Sequence, residues 1–597
     1  MIPGTDPGVA HIPDTDSDDW YTPDEHLQFL LRRSIDGAEA TVGADALAEL
    51  GRLVPTVIEP LVVTADSNPP RLRQYGRRGE RIDEVEFHPA YHEVIRTVLG
   101  FGFVRAAHLP GWRGLDRPVS KALHLMMAYE LFQSDLAITG CPVGAISGVA
   151  GVLNQHDPQL AERFFAGLCD DTGNHLTGAM YLSEKAGGAD VGANETTAVD
   201  NGDGTWRLHG EKWFASCPHS DLALVTARPE GAQPGTGGLA FFLVPRRTPD
   251  GARNAIRIHR LKDKFASRSM ATGEVRLDGA FAWPVGDISE GMRLALDFVN
   301  MNRAGVVAAC AGAMRRGAFE AIEYSRRRTA FGRPLIEQPL MCDTLADLVV
   351  DSVASLSSLV YLGEILDRAD SGDASAASLA RVLTPLFKMD SCERARRHAS
   401  EAAEVRGANG LVEDWPDSRI IRDVHYHAIG EGPGNVMALS VFGAVARGHG
   451  VALLADIQCR AERAAADGPQ SALVPMVLDA LRRLADDMVA LAGTAPDSAQ
   501  LRVRRLARRM AALAIAARLL EEACDQARVD GSGRLTWIAA RYIARIGGDE
   551  AVAAVADDES WLLHADALLR GGPVPLDVGE RAAANVVRGA GLGRCAS

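Results

Sequence analysis

The segment "HAIGEGPGN", His427–Asn435, sets one carboxylate, Glu431, among three glycines and a proline. Glycine admits unusual backbone angles and proline withdraws a donor, so neither regular helix nor strand suits the segment. Read alone it is a surface turn with a solvated Glu. Beside a ligand it is a tight loop that aims a proton acceptor. Three other stretches carry groups of a similar kind. "MYLSEKAGGADVGANETTA" brings Ser183, Glu184, Gly187 and Gly188 within six residues. Backbone N–H groups bared by such glycines can cradle a phosphate or the edge of a flat ligand, although a plain helix-to-strand turn has the same composition. "HGEKWFASC" offers Trp213, Phe214 and Ser216, an aromatic wall with a hydroxyl, or else two aromatics packed in a β core. "YSRRRTAFGRPLIEQPL" stops a helix at Phe331-Gly332 after Arg326, Arg327 and Arg328. Their planar forks suit phosphates, and equally the helix dipole and solvent.

The elements that must position these groups follow from periodicity. Residues 27–177 are mostly helical, as in "SKALHLMMAYELFQSD", with apolar residues three and four apart. Over 178–286 the period shortens: "TAVDNGDGTWRLHGEKWFAS" reads as two strands about an Asn-Gly-Asp-Gly turn, and "LALVTARP", "GGLAFFLVPRR" and "GEVRLDGAFAWP" follow as strands. Helical periodicity returns over 287–448, and a further helical region fills 449–597, ending in a disordered tail. Residues 1–26, acidic and Pro-rich, read as a flexible arm without the apolar core of a secretory signal. This order of helices, β module and helices predicts an α+β multi-domain protein.

A chain of 597 residues needs several cores. Its net charge of −15 argues against a general nucleic-acid binder. The nine cysteines stand apart with no C-x-x-C pair, which points to a reducing, cytoplasmic compartment and to no metal site. The uncharged run Leu136–Leu153 has the length of a membrane span but, rich in Gly and Ala, reads as a buried helix pair. "GAGLGR" near the C-terminus resembles part of a dinucleotide fingerprint, yet no helix follows it to receive a pyrophosphate.

Taken in order, these motifs resemble the acyl-CoA dehydrogenase superfamily. "NPPRLRQYGRRGERIDEVEFHPAYHEVI", "SEKAGGAD", "NAIRIHRLKDKFASRS", "FGRPLIEQPLM" and "EGPGN" are similar to its AidB-like branch, over roughly residues 68–450. The resemblance implies a helical domain, a β-barrel-like domain, a helical bundle and an extra C-terminal helical domain, with FAD as cofactor and a homotetramer as the assembly. It implies that Met180, Ser183, Gly187, Gly188 and Ala189 wrap the flavin, and that Phe214, Ala215 and Ser216 flank its ring. Arg328, Phe331 and Gln338 would reach the cofactor of a neighbouring subunit. Gly407 and Gly410 match a glycine loop beside it, and Asn435 an adjoining one. Glu431 falls on the catalytic base, which would remove the α-proton of an acyl thioester while the β-hydride passes to flavin N5.

The sequence departs from the family pattern at three places. Gly430 stands where an aromatic residue usually precedes the base, which would enlarge the substrate pocket formed with Gly432. Pro433 replaces a hydroxyl residue, and Ala189 replaces a serine. His425, Tyr426 and His427, close in sequence to Glu431, are further candidates for proton transfer or else packing and surface residues. Two other functions compete. One is oxidase or monooxygenase chemistry on the same fold. The other is a DNA-binding, alkylation-stress protective flavoprotein. In "LRVRRLARRMAALAIAARLLEE" Leu506, Met510, Leu513, Ala517 and Leu520 form an apolar stripe, and Arg502, Arg505 and Arg509 line another face that could meet phosphates.

Overall fold

The structure, a computed structural model, describes residues 12, 15–465 and 468–591. Half of the arm expected over 1–26 lies outside the described residues, but its C-terminal part is packed rather than flexible. Trp20 is buried, the Arg316 guanidinium lies 4.1 Å from its ring centroid, and its N–H donates to Gly51 O. Asp24 then caps the helix Glu25–Ser34, accepting from Leu27 N at 3.0 Å, and buries Leu27, Leu30 and Leu31 against the core. The end of the tail, residues 592–597, also lies outside the described residues.

The N-terminal region is helical with one exception that periodicity missed. Arg71–Tyr75 and Arg81–Glu86 form an antiparallel hairpin. Both its faces are largely polar, so no apolar alternation marks it. It is fastened to the β module, where Arg81 Nη2 donates to Ile258 O at 2.8 Å and Gln74 Nε2 to His259 O at 2.7 Å. The uncharged run forms one buried helix, Cys141–His156, not two; Asp135 holds the turn before it by accepting from Ala137 N and Ile138 N.

The β module is a seven-stranded sheet that closes on itself, because Leu222–Pro229 pairs with both Thr197–Asp200 and Ala240–Pro245, while Gly178–Tyr181 adds to it in parallel. Thr197–Asp200 and Trp206–Ser216 form the expected hairpin, with Asp200 opposite Trp206 and left-handed glycines at 202 and 204. Trp206–Ser216 also pairs with Thr272–Pro284. There Lys212 faces Val275 and Ala215 faces Gly273, so three steps on one strand match two on the other. The extra residue makes a β-bulge at Trp213-Phe214, a device that re-aims side chains.

Three long helices, Gly291–Arg327, Pro339–Asp370 and Ala374–Val405, make the bundle. Among the described residues Pro339–Asp370 is the one unbroken helix long and apolar enough to cross a membrane, and 94% of its apolar stretch is buried inside the fold. Pro416–Ile429 and Gly434–Ala446 follow. The loop around Glu431 is therefore only Gly430–Pro433; His427–Ile429 complete one helix and Gly434 opens the next. The remaining helices, led by Pro496–Asp530, share the bundle's core. Arg518 of that helix, fully buried, binds Glu364 at 2.7 and 2.9 Å, and Arg541 binds Asp343 at 2.7 Å.

Candidate active site

Glu431 has φ +56°, a left-handed conformation uncommon for any residue but glycine. Two cations pin the strained loop through its carbonyls. Arg303 Nε donates to Glu431 O at 3.1 Å, and buried Lys388 donates through Nζ to Gly432 O at 2.5 Å. Gly432 is itself left-handed at φ +103°, which strains any residue with a side chain, and a Cβ there would also displace the Met437 methyl, 2.6 Å away. Asn302 Nδ2 donates to the Glu431 carboxylate at 3.3 Å. Burial pushes this carboxyl above the ordinary carboxylate range, against the opposing pull of Arg303, Asn302 and Lys388. Glu431 is half-buried and lines a cavity of about 1380 Å³ with Met180, Ser216, Tyr426 and Gly430.

The β module supplies the opposite wall. Met180, in Gly178–Tyr181, and Ser216, the last residue of Trp206–Ser216, both face the cavity. The bulge turns the Phe214 ring outward, 54% exposed, where it is free to meet a planar ligand, while Lys262 Nζ sits 3.5 Å from the Trp213 ring centroid. Neither aromatic belongs to the β core. Ala215, between them and Ser216, is fully buried and can offer a ligand only its backbone. Ser183 accepts from Trp213 N at 2.9 Å through its carbonyl, joining the glycine stretch to the bulge. A Cβ at Gly187 would lie 2.1 Å from Asp190 O, so the tight turn needs glycine; Gly188 and the exposed Ala189 follow on its open side. Glu184 is no ligand: its carboxylate turns inward to Lys212 Nζ at 2.6 Å and accepts from Glu195 N and Thr196 N.

A second group of expected residues lies elsewhere. Arg328 and Phe331, the latter 95% exposed with φ +53°, stand past the end of Gly291–Arg327, and Gln338 Nε2 donates to Ala330 O at 3.1 Å. Arg326 and Arg327 are taken up by Glu323. Gly407 and Gly410 join this group, since Arg406 lies 5.2 Å from the Tyr324 ring centroid. Tyr324 is 22 residues beyond Asn302 on one helix, roughly 33 Å along its axis. One chain therefore cannot wrap a single dinucleotide with both groups. Asn435 sits near Glu431, but its Oδ1 accepts from Arg504 Nη1 at 2.9 Å.

Neither histidine is placed to carry a proton. His425 is exposed with Nδ1 2.8 Å from Ile421 O, and burial lowers His427 to about 3. Tyr426 was expected only as a candidate for proton transfer; its place as the aromatic ring beside Gly430 was missed. A Cβ on Gly430 would lie 3.7 Å from its ring, and its hydroxyl reaches Cys141 Sγ at 3.9 Å, so it takes up part of the space Gly430 leaves. Asn302, Arg303 and Lys388 were also missed; no local motif marks them. The arginine face of Pro496–Asp530 is exposed as expected at Arg502 and Arg505, whereas Arg509 pairs with Asp487. Among the described residues no cluster of His, Cys, Asp and Glu could hold a metal ion.

Comparison with known proteins gives the same pattern. The chain matches the adaptive response protein AidB N-terminal domain over residues 11–172, the acyl-CoA dehydrogenase middle domain over 179–280 and the acyl-CoA dehydrogenase C-terminal domain over 289–445. AidB of Escherichia coli is 35% identical over 68% of this chain and 75% of its own. The structure of Caenorhabditis elegans ACDH-11 in complex with C11-CoA superposes with a TM-score of 0.79 at 25% identity, covering 91% of this chain and 95% of that one. An acyl-CoA dehydrogenase from Bacillus anthracis complexed with FAD shares the fold, with a TM-score of 0.71 at 18% identity over 94% and 98% of the two chains. The geometry and the matched domains converge: this chain belongs to the acyl-CoA dehydrogenase family, in its AidB-like branch.

Proposed function

We propose that this protein is an FAD-dependent oxidoreductase that dehydrogenates an acyl thioester, with Glu431 as the base for the α-proton. The observation that carries the reading is a carboxylate held in a strained loop, raised in pKa by burial, and facing Met180 and Ser216 across one cavity. The exposed Phe214 ring, the Ser216 hydroxyl and the glycine turn at Gly187 fit a planar, phosphate-bearing group. When bound there, FAD supplies the acceptor for the β-hydride. The chain's own part is positional. Arg303 and Lys388 fix the loop, Asn302 orients the carboxylate, and the raised pKa brings the base nearer the working pH. The cavity leaves room for the acyl chain.

A homotetramer accompanies this reading. Its support is the separation of the two cofactor groups along Gly291–Arg327 and the exposure of Phe331, Leu340 and Leu411 near the second group, large apolar side chains suited to a partner subunit. The test is an anaerobic titration of FAD-loaded protein with acyl-CoA thioesters, following flavin absorbance. Bleaching by at least one thioester is expected, with loss of bleaching in Glu431→Gln while FAD is retained. Bleaching by none refutes dehydrogenation, and undiminished bleaching in the variant refutes the role of Glu431.

A further inference from the structure

Past Glu431 the cavity continues between the helices Lys121–Phe132, Cys141–His156 and Gly291–Arg327, along an apolar wall that includes Leu125, Ala128, Val152 and Phe298. Two imidazoles interrupt that wall. His108 closes the short helix Phe103–His108, His124 lies in the first turn of Lys121–Phe132, and both line the cavity. His108 Nε2 lies 2.9 Å from Ser147 Oγ, another lining group. His124 Nε2 lies 3.2 Å from Phe103 O. A carbonyl only accepts, so this nitrogen carries the hydrogen, and in a neutral ring Nδ1 of His124 is a bare acceptor. Burial keeps both rings neutral by lowering each to about 4. Neither Nδ1 has a hydrogen-bond partner among the described residues.

Their depth follows from Cys141–His156. A Cβ on Gly144 would stand 3.8 Å from Asn302 Oδ1, at the level of the Glu431 carboxylate. Ser147 is three residues further, and a Cβ on Gly151 would meet His108 Cε1 at 3.3 Å. The polar station is thus about 5–10 Å along the helix from the base. Polar groups in an apolar wall cost free energy unless something meets them.

We infer that His108, His124 and Ser147 form a subsite for a hydroxyl group carried on the acyl chain, a few carbons beyond the carbons that react. A hydroxyl donates to Nδ1 of His124 and accepts from His108 or Ser147; a keto oxygen has no hydrogen for His124, and a methylene meets neither. The substrate class is a hydroxylated acyl thioester. The inference rests on the dehydrogenase reading above, and the experiment separates the two.

The FAD-loaded protein is titrated calorimetrically with one saturated straight-chain acyl-CoA and with analogues hydroxylated at successive mid-chain positions, with flavin absorbance recorded in parallel. One hydroxyl position should tighten binding about tenfold over the plain chain, a factor within reach of one or two hydrogen bonds. That gain should disappear in His124→Phe, which keeps the ring volume, and shrink in Ser147→Ala, while the plain chain binds at least as well. No preferred position, or a preference that survives both variants, overturns the subsite. Bleaching by plain thioesters without a hydroxyl preference sinks the subsite alone. A hydroxyl preference without bleaching upholds the subsite and sinks dehydrogenation. Failure of every thioester to bind overturns both.

Discussion

Replacing Lys212 with methionine tests how the glycine stretch beside the cavity is held. Lys212 and Glu184 have 0% and 4% side-chain exposure, their charged atoms are 2.6 Å apart, and Nζ also donates to Thr226 O at 2.7 Å. Burial nevertheless lowers the amine from 10.5 to about 8, so desolvation outweighs the attraction of Glu184. Such a pair adds little net stability while both partners are present, yet losing one strands the other. In Lys212→Met the Glu184 carboxylate is left buried without its counter-charge, and removing one partner of such a pair costs about 3–5 kcal/mol. That sets the scale of the effect, roughly 10²–10³-fold in local opening. The readouts are amide hydrogen exchange at Glu195 and Thr196, whose N–H groups bind Glu184, and the FAD dissociation constant. Local exchange is the better measure, since a chain of several domains does not unfold in one step. Lys212→Met/Glu184→Gln should recover most of the loss. Wild-type stability should also climb as pH rises from about 8 to 10.5, where the unfolded chain still holds the Lys212 proton and the folded one does not, and stay level below that window. Exchange within about threefold of wild type, together with unchanged FAD affinity, would refute the reasoning.

The remaining predictions concern the base, the pocket and the arginine face. The flavin bleaching rate should rise with pH through a midpoint above the ordinary carboxylate range, because Glu431 acts only when ionised and its pKa is raised; Glu431→Gln should lose this limb and about 10²–10⁴ in rate, as stopped-flow measurement will show. Gly430→Tyr should retain FAD, since an added Cβ meets Tyr426 O only at 3.5 Å, but should weaken binding of bulky thioesters more than short ones in a calorimetric comparison. Arg502→Ala/Arg505→Ala/Arg509→Ala should leave duplex DNA affinity unchanged, because Arg509 is already paired and the chain carries −15; a salt-steep affinity lost in that variant would restore the nucleic-acid reading.

Residues whose role depends on local backbone chemistry were legible in the sequence. Glu431 between glycines, Gly187 in its tight turn and the hairpin at Asn201–Gly204 announce themselves: Glu431, Gly202 and Gly204 are left-handed, and Gly187 has no room for a Cβ. The wall formed by Met180 and Ser216 was legible only through resemblance. Residues that act across the fold were silent. Asn302 and Arg303 reach the loop from 129 and 128 residues away, and Lys388 from 44, with nothing local to mark them. The bulge that exposes Phe214 is a mismatch of register between two strands, which one strand's sequence does not contain. The hairpin at Arg71–Glu86 was hidden because its charged residues erase the alternation that marks a half-buried strand.

The ion pairs that tie the last helices to Pro339–Asp370 also set a timetable for synthesis. Glu364 waits 154 residues for Arg518, and Asp347 waits 194 for Arg541. At about 5–20 residues per second the ribosome takes roughly 8–40 s to deliver those cations. Until then the acidic edge of the bundle's central helix has none of these counter-charges, and its final packing is a late event. A chain ending before Arg518 would leave Glu364 with Arg33 as its remaining counter-charge and Asp347 with neither Arg541 nor Arg545.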